Sequence, residues 1–167
     1  MKNKKLRAII RLFFIALTAT GIARGQDTTG VFSRPAFYIT MANGNLDAIN
    51  IQLTILRSAS VTEKGAFEGA LMMKKAGLIS SPKNKLSLFK SGRNKLEGML
   101  SKDSTNAEFR FLRLMIQENA PRILEYKSEL AKDGQYIRIM FKGLSSEVQQ
   151  AIIEYSKKSN VLHATDF

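Results

Sequence analysis

Apolar residues recur at intervals of three and four along most of the chain after residue 34, which is the spacing that places side chains on one face of a helix. The clearest run begins after the turn signal Asn43-Gly44-Asn45 and consists of Leu46, Ile49, Leu53, Leu56 and Ala59. Ahead of that turn, Pro35 is well placed to open a short helix that extends to Ala42. The pattern therefore predicts short helices that follow one another closely, with turns between them.

Cap signals divide the rest of the pattern into separate helices. A serine or threonine precedes Glu or Gln by three positions, the spacing of a capping box, in three pairs: Ser60 with Glu63, Thr105 with Glu108, and Ser146 with Gln149. Ser81-Pro82 has the pattern of an N-cap followed by proline at the first helical position. We expect Gly77 to end the helix opened at Ser60 in a left-handed conformation. The next helix has an apolar face of Leu86, Phe89, Gly92, Leu96 and Met99 or Leu100, and Gly92 on that face is expected to mark a close approach of a neighbouring helix.

The segment from Thr105 to Pro121 predicts a helix that is buried over much of its circumference. Its apolar residues are Phe109, Phe111, Leu112, Leu114, Met115 and Ile116. Arg110, Arg113 and Gln117 share the remaining polar strip. We interpret this helix as part of the scaffold, with the two arginines exposed for recognition.

The chain after Pro121 has two segments of different character. Ile123, Leu124, Tyr126 and Leu130 predict a helix that Asp133-Gly134 closes. Residues 135–142 have the propensity of a strand, but a lone strand would lack a partner, so we predict a short helix that ends at Gly143. With a last helix around Ile152, the pattern predicts an all-α protein of six or seven helices in antiparallel hairpins.

The N-terminal segment has the layout of a secretory signal peptide. A basic leader is followed by an apolar stretch over 8–22, interrupted by Arg11, and small residues stand at Ala23 and Gly25. We expect cleavage near Gly25 and export to the periplasm or the cell exterior; the alternative is an uncleaved N-terminal anchor. The predicted organisation has a signal peptide (1–25), a flexible leader (26–34), a single helical domain (35–160) and a tail (161–167).

Composition changes this picture in two ways. The chain has a formal charge of +12, but six Lys or Arg residues and no acid lie within 1–25, so the remainder carries +6, which is ordinary for a soluble domain. The chain has no cysteine, which excludes a disulfide framework, a thiolate nucleophile, a lipid-modified cysteine anchor and a cysteine metal site.

Candidate catalytic groups are few. His163 is the single histidine and lies close to the C-terminus, where a solvated side chain is the favoured interpretation. Ser80-Ser81-Pro82-Lys83 matches the S-x-x-K pattern, but Pro82 more naturally opens a helix. The carboxylates are scattered and no glycine-rich phosphate loop follows a strand. We therefore expect no enzymatic activity, no metal site and no cofactor.

Charge is distributed unevenly. Residues 74–113 hold ten basic and three acidic residues, whereas residues 114–167 hold seven of each. A solvated helix face is the first interpretation of the basic segment, and binding of an anionic polysaccharide, lipid headgroup or nucleic acid is the alternative. Nucleic acid is disfavoured because the phenylalanines lie on core faces rather than beside exposed cations.

The segment KLSLFKSGRNKLEGMLSKDSTNAEFRFLRL, 85–114, resembles a tetratricopeptide repeat across its acidic turn and helix restart. Ser104 stands where that repeat usually has proline, and no 34-residue period runs along the chain. The chain, with GAFEGALMMKKAGL and SSEVQQAIIEYSKKSNVL among its segments, is also similar to an uncharacterised family of small exported helical proteins of Gram-negative bacteria. That resemblance implies export and an all-helical fold, and it implies no catalytic residue and no ligand.

The functional expectation is a non-enzymatic exported protein that binds an unknown protein partner through a helical groove. The candidate contact residues are Lys90, Arg93, Arg110 and Arg113. Charge reversal at Arg110 and Arg113 is expected to weaken partner capture and to leave thermal stability nearly unchanged. The alternative function is binding of an anionic polymer or membrane surface through the basic 74–113 face.

Overall fold

A computed structural model describes residues 30–167, and in these residues the chain is all-helical, without a strand. The seven α-helices are α1 (Arg34–Asn43), α2 (Leu46–Ser58), α3 (Lys64–Leu78), α4 (Pro82–Lys102), α5 (Ala107–Asn119), α6 (Leu130–Met140) and α7 (Ser146–Ser156). The prediction of an all-α fold with six or seven helices is confirmed. The predicted signal peptide and its cleavage position lie outside the described residues, and no described helix has the length and apolarity that a bilayer span requires.

Only part of the predicted capping is present. Ser81 Oγ accepts from the backbone N–H of Asn84 at 3.5 Å, as the sequence predicts. Helices α3, α5 and α7 begin differently from the three predicted capping boxes, which are wrong. For α5 the cap is the Asn106 side chain, which accepts from the backbone N–H of Phe109 at 3.1 Å. The predicted partner Glu108 is instead drawn into an ion pair with Arg34, because a buried carboxylate requires a cation.

The sequence predicted roles for two glycines. The prediction for Gly77 is wrong, and the prediction for Gly92 is confirmed. Helix α3 continues through Gly77 to Leu78, so the predicted left-handed stop is wrong; among the described glycines, Gly44 is the one with a positive φ, at 66°. Gly92 confirms the predicted close approach. A Cβ on Gly69 of α3 would lie 2.6 Å from the carbonyl oxygen of Gly92, so the two helix backbones touch.

Helices α3 and α4 form an antiparallel hairpin whose register is visible in its close contacts. A Cβ on Gly65 would meet Met99 at 3.0 Å, and a Cβ on Gly69 would meet the backbone nitrogen of Leu96 at 2.8 Å. Continuing that register along the antiparallel pair places Leu78, the last residue of α3, opposite Leu86 near the start of α4.

Helix α5 is the centre of the fold, since residues 107–117 are all buried apart from the half-buried Arg110. Phe111, Leu112 and Leu114 have no exposed surface. The ring of Phe111 packs against Tyr38 of α1 at 5.7 Å and against Tyr155 of α7 at 5.8 Å between centroids. The predicted burial of this helix is therefore confirmed. The buried residues include Arg113 and Gln117, which the sequence analysis assigned to a polar strip.

The segment after α5 differs from the prediction. A short 3-10 turn spans Arg122–Leu124, and α6 then runs through Asp133 and Gly134, where the sequence predicted a helix end. Asp133 is fully buried because arginines of α5 neutralise it, and Gly134 leaves room for Val161, which a Cβ would meet at 2.6 Å. The prediction that 135–142 is helical rather than a strand is confirmed, with a second 3-10 turn at Phe141–Gly143.

The ends of the described chain pack against the domain. Leu162 is fully buried, and Glu118 of α5 accepts hydrogen bonds from Ser159 Oγ, at 2.8 Å to the nearer oxygen, and from the backbone N–H of Asn160. Leu162, which was assigned to the tail (161–167), is therefore part of the packed domain. At the other end, Phe32, which was assigned to the flexible leader, packs on the core with its ring centroid 4.8 Å from that of Phe67.

Candidate functional site

The structure separates the four predicted contact residues into two pairs. Arg113 is only 8% exposed, and its Nε lies 2.7 Å from Asp133 Oδ2 while Nη1 lies 3.0 Å from Glu97 Oε2. Burial acts to lower the pKa of Arg113, but the hydrogen bonds and charge of Asp133 outweigh it, so the pKa lies above its ordinary value. Arg113 thus joins α4, α5 and α6 and is not available to a partner, which corrects its assignment to a contact face.

Arg110 is also occupied within the domain. Its Nη1 donates to Asp133 Oδ1 at 2.9 Å, its Nη2 donates to the carbonyl oxygen of Ser104 at 2.7 Å, and its guanidinium lies 4.4 Å from the ring centroid of Tyr136. Because Asp133 has no exposure, reversing the charge of both arginines would leave a buried carboxylate beside two further acids. We therefore expect this double change to lower the thermal stability, in place of the nearly unchanged stability expected from the sequence.

The other two candidates, Lys90 and Arg93, are exposed on α4. The guanidinium of Arg93 lies 4.7 Å from the ring centroid of Tyr126, which fixes it on the surface. With Lys83 and Leu86 they follow one another at intervals of three, four and three, so all four lie on one exposed stripe of the helix. The candidate site is therefore on the α3–α4 hairpin, away from the two arginines of α5.

The closed end of this hairpin projects beyond the core. Lys85 lies one helical turn before the buried Phe89, on the side of α4 that faces the core, and yet it is exposed. Residues 82–87 are exposed without exception. Leu78 and Leu86, one on each side of the turn between α3 and α4, are 40% and 45% exposed. The interior of the domain thus ends before the first two turns of α4.

Sequence reasoning missed the two leucines of this projecting end. It placed Leu86 on a buried face because its spacing to Phe89 is helical, and periodicity cannot reveal where a core stops. A usable signal was nonetheless present, since Leu86 directly follows Lys85 and lies three residues from Lys83. An apolar side chain among cations at a helix start is unusual for a core position.

The cations of the hairpin have few internal partners. Between Gly69 and Leu96 in the described chain, only Lys95 forms an ion pair, with Glu68 at 2.9 Å. Lys75 Nζ donates to the neutral amide oxygen of Asn50 at 2.6 Å. Burial lowers the pKa of Lys74, and the positive charge of Lys158 lowers it further. Apart from Lys95, the ammonium groups of this stretch are therefore not neutralised by carboxylates.

A second feature is a cleft of about 760 Å³ where the first turns of α1, α5 and α7 meet. Its arginine and buried acid satisfy each other: Arg34 Nε lies 3.0 and 3.1 Å from the two carboxylate oxygens of Glu108, and Tyr38 Oη donates to the same carboxylate at 3.0 Å. Burial raises the pKa of Glu108, although Arg34 acts in the opposite direction. Glu147 lines the cleft beside the start of α7. These groups make the cleft a polar junction between helices.

The described residues contain no group of three or more His, Cys, Asp or Glu side chains placed to hold a metal ion. No family model matches the chain. Neither the curated proteins nor the solved structures include a match.

Proposed function

We propose that the protein is a non-enzymatic binding protein that recognises an anionic macromolecular surface through the α3–α4 hairpin. The cations involved form what we call the basic hairpin surface: Lys74, Lys75, Lys83, Lys85, Lys90 and Arg93. The proposal takes up the alternative function that the sequence suggested. Arg110 and Arg113 are not part of this surface, because both arginines form ion pairs with Asp133.

The distribution of charge carries the proposal. Residues 30–68 have three basic and three acidic residues, and residues 97–167 have ten of each. The stretch 69–96 has seven basic residues and no acid. The entire positive excess of the described chain is therefore concentrated on one hairpin, which produces a local field that attracts polyanions.

Two of these cations destabilise the start of α4. Lys83 and Lys85 lie in the first turn of α4, which contains no acid to balance them. The helix dipole disfavours cations at this end, by about 0.3–1 kcal/mol each when they are exposed. An anionic partner would remove that cost, since it would supply the negative charge that the first turn lacks.

Export to the periplasm or the cell exterior is part of the proposal and rests on the leader sequence over 1–25. The tetratricopeptide resemblance, 85–114, covers most of α4, the following turn and the first half of α5. By analogy, helical hairpins of that kind support a binding function rather than catalysis. The proposal requires no cofactor.

Retention on immobilised heparin, eluted with a salt gradient, tests the proposal. We expect strong retention, and we expect Lys83→Glu/Lys90→Glu to elute at much lower salt because cations that displace counterions have been removed. The matched control is Lys127→Glu/Lys142→Glu, which changes net charge equally at exposed positions outside the hairpin. Equal elution of the two double variants would refute the proposal, because it would show a response to net charge alone.

A further inference from the structure

The projecting end of the hairpin combines features that select among anionic surfaces. We call this end the hairpin apex and define it by Leu78, Lys83, Lys85 and Leu86. We propose that the anionic surface is a lipid leaflet, into which the apex inserts Leu78 and Leu86 while the lysines contact the phosphate headgroups. This inference rests on the proposed function and specifies its partner.

The shape of the apex fits a planar layer. It is a convex tip formed by the last turn of α3 and the first two turns of α4, with residues 82–87 all exposed. The cleft between α1, α5 and α7 is elsewhere, and none of its lining residues belongs to the hairpin turn. A protruding tip can enter the headgroup region without a matching cavity in the partner, as interfacial helices do.

The apolar side chains distinguish a lipid leaflet from a soluble polyanion. Leu78 is the last residue of α3, Leu86 lies in the second turn of α4, and they are 40% and 45% exposed. A polysaccharide or a nucleic acid backbone would leave both leucines in water, whereas a leaflet offers them the acyl boundary directly beneath the phosphates. The apex therefore combines exposed apolar side chains with lysines, and an anionic leaflet accepts both kinds of group.

The type of cation also favours lipid over an acidic protein. All five cations nearest the apex, over 74–90, are lysines. A lysine ammonium is a flexible point charge, whereas the planar guanidinium of arginine is preferred for bidentate recognition of fixed carboxylates. Lysines on long apolar stems can keep their charge at the headgroups while the neighbouring leucines are buried.

Flotation with lipid vesicles tests the inference, using protein recovered from expressing cells with its N-terminus identified by mass spectrometry. The vesicles are equal parts phosphatidylglycerol and phosphatidylcholine, or phosphatidylcholine alone, and retention on heparin is measured in parallel. We expect binding to the anionic vesicles only. Leu78→Gln/Leu86→Gln should weaken it by about tenfold or more and leave heparin retention unchanged. Lys83→Glu/Lys85→Glu should weaken both.

The matched control is Leu46→Gln/Ile51→Gln, which removes two leucine-sized side chains of similar exposure, 37% and 48%, from α2. This control should bind vesicles as the parent does. Heparin retention without binding to anionic vesicles would overturn the lipid inference and leave the proposed function standing, with a soluble polyanion or an acidic protein as the partner. Loss of neither activity in the lysine variant would overturn both. Vesicle binding that is unchanged by Leu78→Gln/Leu86→Gln, or that is equal on phosphatidylcholine, would also overturn the inference.

Discussion

Replacement of Gly69 by alanine should separate the two helices of the α3–α4 hairpin. An added Cβ would lie 2.6 Å from the carbonyl oxygen of Gly92 and 2.8 Å from the backbone nitrogen of Leu96. Both atoms belong to the backbone, so no side-chain rotation can relieve the clash, and the helix axes must move apart. Because the core is close-packed, that movement loses contacts along the whole hairpin.

The expected magnitude is a balance of two effects. Overpacking of a buried site costs about 1–3 kcal/mol, and a clash with backbone belongs at the upper end of that range. Alanine has an intrinsic advantage over glycine of about 1 kcal/mol in a helix, which offsets part of the cost. We expect Gly69→Ala to lower the free energy of unfolding by about 2 kcal/mol, and to lower Tm by about 2–4 °C for each kcal/mol.

Gly98→Ala is the matched control. Gly98 lies within α4, and an added Cβ would meet nothing within 4 Å. Only the propensity term remains, so this variant should gain about 0.5–1 kcal/mol. Urea unfolding followed by circular dichroism at 222 nm measures both variants. If Gly69→Ala is as stable as Gly98→Ala, the backbone contact at the helix crossing is not limiting and the reasoning fails.

Three further predictions concern buried groups. Asp133→Asn should lower the free energy of unfolding by about 3 kcal/mol in urea titrations, because two arginines lose their counter-charge. The control Glu129→Gln, in an exposed pair of the same helix region, should change it by less than about 0.5 kcal/mol. Equal effects of the two substitutions would contradict the buried pairing. Burial and neighbouring glutamates raise the pKa of three tyrosines: Tyr38, Tyr126 and Tyr155. The folded state favours their neutral form, so stability should be insensitive to these groups below about pH 10 and should fall as the pH rises above it. Absorbance at 295 nm should register their ionisation together with the loss of helical signal, and ionisation of all three with intact helices would refute the assignment. Leu162→Ala should lower the free energy of unfolding by about 2–5 kcal/mol, measured by thermal or urea unfolding. The control Thr165→Ala, at an exposed position, should be nearly neutral. A neutral Leu162→Ala would mean that the C-terminal segment is not docked.

The parts of the fold that sequence could predict are those whose causes are local. The spacing of apolar residues and the turn at Gly44 are sufficient for α1 and α2, since both depend on neighbours within a few positions. Gly92 could be interpreted correctly because a glycine on an apolar helix face has few explanations other than close packing. The same local logic places Lys90 on an exposed face.

The errors have long-range causes. Asp133 followed by glycine has the local pattern of a turn, and only arginines 20 and 23 positions earlier in the chain stabilise its carboxylate inside a helix. Arg113 was interpreted as exposed because arginine is rarely buried without a partner, and that partner could not be identified from spacing. Leu86 was placed in the core because periodicity gives the direction of a side chain and not the extent of the domain around it.

The carboxylate of Asp133 couples α5 and α6 into one cooperative unit, because separating α6 from α5 would leave both arginines of α5 without their counterion. Amide protons in these helices should therefore exchange with solvent only through openings that approach global unfolding. The tip of the α3–α4 hairpin has no comparable tie, so its amides can exchange through local fraying that leaves the rest of the molecule closed. In the described domain we therefore expect a slowly exchanging interior and a hairpin tip that exchanges faster.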